Sequence, residues 1–339
     1  MNANNNKLVR DSNMELLRIL AMLGILAVHA DFFALGIPSR IDCEQNQLAS
    51  LLRFVVESIT IVSVNIFVLL SGWYGIRPKA KRIKEFLFQI LFFNILFFVI
   101  FIFVKPEAAF SKQGLLSLLM LDKRFWFVKA YLMLYLLSPI LNSFIEHSSK
   151  RQLYLVTSIF FVFQTIYGWL FAAVSWFNNG YSALSFVGLY LLARYYRLTG
   201  FKYLNRFRAA LLFIVFIFAN SLFAYFLAIT GRGGMINLLY AYNSPFVIIA
   251  SLVAFYIFTT LSFKSRFVNV LAISSFAAFL FHANHFFLDI VYVPTIKNWF
   301  VNLSLPSFFF HVTAFILCLY LVSIAIDKFR FFIYKLIKL

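Results

Sequence analysis

Acidic residues are scarce in this chain. Twelve Asp and Glu stand against 30 Lys and Arg, and charged residues make up only 12% of 339 positions. There are two cysteines, Cys43 in a polar stretch and Cys318 in an apolar run; they give no disulfide framework and no metal-ligand spacing. Seven prolines and 12 glycines form no Pro-rich or Gly/Ser-rich linker, so nothing marks a domain boundary. No internal repeat is present, and residues 1–339 read as a single domain. No cleavable signal peptide is expected. The first apolar run follows the polar leader MNANNNKLVRDSN, lacks a small-residue cleavage site and is followed by further apolar runs.

What the chain has in excess is apolar surface. It is 63% hydrophobic with 47 phenylalanines, and its mean hydropathy is +0.88. A water-soluble fold cannot hide that much, so lipid must cover much of the surface. Runs of about 20 apolar residues are long enough to cross a bilayer core. Ten are read, at 14–35, 49–73, 85–104, 125–145, 153–174, 181–197, 209–229, 244–263, 268–292 and 307–327. The expected fold is an all-α polytopic membrane protein of about ten transmembrane helices. The run at 113–121 is too short to span and is assigned to the interface.

Ten spans put both termini on one side. Nineteen Lys and Arg fall in the loops and tails of that side and seven on the other, which places both termini in the cytoplasm. The net charge of +18 is then a topology signal and an attraction to anionic lipid, with no nucleic-acid partner required. The densest loop, GIRPKAKRIK at 75–84, carries Arg77, Lys79, Lys81, Arg82 and Lys84. Two readings stay open for it: positive-inside bias alone, or a site for a polyanion such as a nucleotide phosphate.

Polar groups inside apolar runs are costly and point to function. RILAMLGILAVH, 18–29, brackets ten apolar or glycine residues with Arg18 and His29. Eleven steps of ~100° bring the two side chains within about 20° of one helix face, ~16 Å apart along the axis. The bland readings are a snorkelling anchor for Arg18 and an interhelical hydrogen bond for His29. Glu57 lies at the depth of His29, although Arg53, four residues earlier, offers it an ordinary ion pair. The ninth run carries His282, His285 and Asp289, with His282 and Asp289 on a shared face seven residues apart. His311 opens the tenth run, and Asp31 is expected to face the outer water layer. A metal site is not supported, because H-x-x-H alone is a weak signal. General acid–base chemistry suits imidazoles beside carboxylates better.

At this point the residues resemble a family. NMELLRILAMLGILAVHA is similar to the first span of the acyltransferase-3 family of integral-membrane acyltransferases, marked by Arg or Lys, ten residues, then His. SVNIFVLLSGWYGIR, FWFVKAYLMLYLLSPILN and SSFAAFLFHANHFF resemble later spans in the same order. The resemblance implies transfer of an acyl group, usually acetyl, from cytoplasmic acyl-CoA to a hydroxyl of a cell-envelope or exported saccharide, free or lipid-linked. Acetyl-CoA is then a donor substrate, no cofactor is bound, and the protein is a multi-pass component of the inner (cytoplasmic) membrane. It implies a catalytic set of His29, Glu57 and His282, with Arg18, Arg77, Lys81, Arg82, Trp126 and Asp289 contacting substrate. Glu57 or Asp289 would orient the His29 imidazole, and Asn65, Ser71 or Trp126 would steady an oxyanion. A saccharide transporter or flippase without acyl transfer is the rival reading. Such folds show paired halves with broken helices, and no halves are visible here.

Overall fold

The computed structural model describes residues 11–171, 175–202 and 204–337. Among the described residues every regular element is a helix. A helix lies on each of the ten apolar runs, and the fifth run ends on residues 172–174, outside the described residues. Seven helices are long and apolar enough to cross a membrane, or eight when one bent pair is counted as a single span.

The differences from ten uniform spans have local causes. Ala183–Thr199 has 17 residues, between a Ser182 side-chain cap and Gly200 at φ 70°, a left-handed conformation that suits glycine. Pro245–Thr259 has only 15 residues and starts with proline in its first turn. The ninth run, expected to be one span, is broken. Helix Arg266–His282 and helix His285–Asn302 meet at 63°. The Asn284 side chain accepts a hydrogen bond from the Phe286 backbone N–H at 3.1 Å, capping the second segment and starting it in a new direction. The last helix outruns its apolar stretch and extends from Leu305 to Leu336. Its overhang buries an ion pair, Arg330 Nε to Asp327 Oδ1 at 2.6 Å, to which Gln89 also donates. Arg330 is therefore an internal structural cation, not one of the loop charges that orient the chain. Lys7, Arg10 and Lys338, also counted among those charges, lie outside the described residues.

Lipid gives helices no hydrophobic reason to associate, so close packing of small residues does that work. A Cβ added at Gly72 would lie 2.7 Å from the Tyr190 carbonyl oxygen and 2.8 Å from the Ala193 Cβ. The Ser-Gly step of SGWYGIR thus lets Ser63–Tyr74 press against Ala183–Thr199. Gly24 does the same for the first helix, where an added Cβ would meet Ser63 Oγ at 2.2 Å.

The bundle has two distinct ends. At one, Asn13 Nδ2 donates to the Phe258 carbonyl at 2.8 Å, Ser265 N donates to Ser12 Oγ and Tyr74 Oη donates to Asp11. The basic loop leaves from this end. Arg77, Lys79, Lys81, Arg82 and Lys84 are all exposed, and none has an ion-pair partner among the described residues. At the other end the first helix passes into the segment that carries His29.

Candidate active site

The first helix is regular from Ser12 to Val28 and then widens into a π turn, His29–Phe33. Such turns recur at functional sites because they re-aim side chains. Here the turn starts on the histidine itself. His29 Nδ1 lies 2.6 Å from His282 Nε2, and His282 is fully buried. The other nitrogen of His282, Nδ1, lies 2.9 Å from the Ala278 carbonyl oxygen. A carbonyl can only accept, so with both rings neutral His282 carries its proton on Nδ1. Its Nε2 must then accept, and His29 donates through Nδ1–H. His29 Nε2 is left with a free lone pair and has no hydrogen-bond partner among the described residues. The helix backbone at Ala278 thus sets the tautomer of both rings.

His29 lines a cavity of about 690 Å³ that also takes in Glu57, Trp126, Tyr181, Tyr240 and Tyr242, a size typical of small-ligand sites. Glu57 is 2% exposed, and its Oε2 has no hydrogen-bond partner among the described residues. Trp126 packs edge-on to Tyr181 with centroids 4.5 Å apart and stacks on Tyr242 at 5.8 Å. Asn65 fixes this aromatic wall by donating to the Tyr242 carbonyl at 2.9 Å. Ser71 is occupied by the Phe67 carbonyl and Tyr131. Of the three candidate oxyanion donors, Trp126 is the one whose N–H has no partner among the described residues while lining the cavity.

Several expectations need correction. Asp31 does not face water: it is 6% exposed and pairs with Arg53 at 2.6 Å. The π turn rotates it inward. Arg53 therefore hydrogen-bonds to Asp31 and to the Gly36 carbonyl rather than to Glu57. The shared face of His282 and Asp289 does not survive the 63° break. Asp289 instead joins Arg124 and His285, the latter at 2.7 Å. Neither Glu57 nor Asp289 hydrogen-bonds to His29, whose ring partner is an imidazole. Arg18 is held by Glu15 at 2.6 Å. His311 belongs to a separate cluster, accepted by the Ser307 carbonyl and packed on Trp299. Arg77, Lys81 and Arg82 sit at the opposite end of the bundle from His29. Sequence reasoning missed Arg124, Tyr181, Tyr240 and Tyr242. Arg124 had a signal, a second cation beside Lys123 just ahead of a span; the tyrosines had none, since 17 occur in the chain.

A bundle of membrane-spanning helices with an imidazole pair opening on a cavity defines a multi-pass membrane protein with a buried histidine pair at its candidate site. The model of the acyltransferase-3 family, an acyltransferase domain, matches residues 11–328. The chain belongs to this family and is a membrane acyltransferase. No match was found among curated proteins or among solved structures.

Proposed function

We propose that the protein moves an acetyl group from cytoplasmic acetyl-CoA to a hydroxyl of a cell-envelope or exported saccharide, as a single transmembrane catalytic domain in the inner membrane. The observation that carries this reading is the free Nε2 lone pair of His29, held at a cavity by the His282 hydrogen bond. In this scheme the acceptor hydroxyl gives its proton to His29 Nε2 while its oxygen attacks the thioester carbonyl. The new C–O bond forms, the C–S bond breaks, and His29–H⁺ returns the proton to the departing thiolate, giving ester and free CoA. His282 replaces the carboxylate of a triad: it accepts from His29 Nδ1–H and holds the ring in the required tautomer. The Trp126 N–H is available to the oxyanion, and Glu57 is available as an acceptor for a further substrate hydroxyl.

The donor enters in this reading from the end that carries the basic loop. Five exposed cations without ion-pair partners among the described residues suit the phosphates of CoA, a polyanion. Its flexible arm reaches the His29 cavity past the first helix, where Arg18 lines the route. The experiment is transfer of label from radiolabelled acetyl-CoA to membrane glycan in vesicles, with mass spectrometry of the product. The wild type should add one acetyl group per modified residue, and His29→Ala should add none. Transfer by His29→Ala at wild-type rate would overturn the mechanism.

A further inference from the structure

A second, shallow and open cavity of about 540 Å³ abuts the one at His29 and shares Lys123, Trp126 and Tyr181 with it. It also takes in Lys129 and Asn178. Both lysines are exposed, and neither has an ion-pair partner among the described residues. Lys129 is the more telling of the two, because it lies one turn inside a helix that is counted as membrane-spanning. An ammonium there is tolerated where it faces a water-filled cavity, and such residues mark substrate paths. Among the described residues no acid lines this second cavity, and Glu57 is the acid that lines the other one.

The backbone between the cavities is unusual. Asn178 and Asn179 are left-handed in succession, at φ 42° and 53°, and Gly180 follows at 92°. Left-handed non-glycine residues are uncommon and gather at ligand sites. Here that conformation sends Asn178 to the second cavity and Asn179 to the first. Gly180 allows it by lying against Tyr242, where an added Cβ would come within 2.5 Å of the tyrosine Cβ.

We propose that the second cavity is an acceptor subsite for the negative group of an acidic saccharide, a carboxylate or a phosphate, held by Lys123 and Lys129. A neighbouring sugar hydroxyl then lies across the Trp126–Tyr181 wall, in the cavity of His29. The proposal rests on the acyl-transfer reading for its purpose but not for its measurement, because binding is read without any donor.

The test is titration of the purified protein, in nanodiscs of uncharged lipid, with methyl glucuronide, glucose 1-phosphate and methyl glucoside, followed by saturation-transfer NMR. At least one of the two anionic sugars should bind about tenfold more tightly than the neutral one, the scale of one charge-assisted hydrogen bond. Preference for one anion identifies the group as carboxylate or phosphate. Lys129→Gln should remove that preference while leaving the glucoside affinity unchanged, and Lys129→Arg should restore it. Equal binding of all three sugars, or an anion preference that survives Lys129→Gln, would overturn the proposal. Acid-selective binding by a protein that transfers no acyl group would instead sink the acyl-transfer reading and leave this one standing.

Discussion

At the scale of residues, the site is a histidine oriented by another histidine. If His282 acts by fixing the His29 tautomer, His282→Ala should lower kcat by about 10²- to 10⁴-fold, the range for misplaced general bases. The donor KM should stay nearly constant, because His282 is fully buried and does not line the cavity. Steady-state kinetics in vesicles would separate the two parameters; an equal rise in KM would assign His282 to binding instead. The buried Asp31–Arg53 pair gives a stability prediction. Asp31→Leu should destabilise the protein by about 3–5 kcal/mol, because it leaves an uncompensated buried charge, whereas Asp31→Leu with Arg53→Met should recover most of that loss. Thermal melting in detergent checks both. The place of His29 on the first helix was legible from the sequence because a polar group in an apolar run is rare enough to notice, whereas the Glu15 partner of Arg18 was passed over. The His282 partnership was not legible, since nothing in HANH says which face the ring will find across 253 positions of chain.

At the scale of elements, spans were legible from hydropathy and their interruptions were not. A π turn at His29–Phe33 and a 63° break after His282 each alter one turn of backbone without altering composition. Both rotate carboxylates away from the positions a regular helix assigns: Asp31 inward to Arg53, and Asp289 to Arg124. Close helix packing makes a prediction at this scale. Gly72→Ala drives a methyl into the Tyr190 backbone, which cannot move aside like the tip of a side chain. It should cost about 1–3 kcal/mol, as overpacking generally does, and lower the melting temperature while leaving the His29 cavity chemically intact. A melting temperature equal to wild type would mean the two helices can separate freely. Outside the membrane, Ser39 and Asp42 form a capping box on helix Arg40–Gln45. The Ser39 hydroxyl and backbone N–H hold the Asp42 carboxyl below its ordinary value of 3.8. Its contribution is therefore full above that value and lost as pH falls through the lower, folded one. Asp42→Asn should reduce stability at neutral pH by only a few tenths of a kcal/mol, since water screens this exposed carboxylate, and the gap from wild type should narrow in acid.

At the scale of the whole molecule, charge asymmetry supplies an orientation to test. With the basic loop in the cytoplasm, a cysteine at Arg82 in a Cys318→Ser background should be shielded from an impermeant thiol reagent in intact cells, and one at Lys297 should be labelled. The reverse pattern would turn the His29 cavity toward the cytoplasm and bring donor and acceptor to the same side. The bond between His29 and His282 also has a consequence for how the enzyme is made. Its two halves are separated by 253 residues, and at ribosomal speeds of about 5–20 residues per second the first waits roughly 13–50 s for the second. The same separation recurs between Ser12 and Ser265. A nascent chain that has inserted its first eight helices thus holds His29 with neither its orienting partner nor its anchor at the opposite end. Premature termination, a stalled translocon or proteolytic trimming of the final quarter should leave an inert fragment. Supplying residues 262–339 as a separate polypeptide in the same membrane should bring activity back.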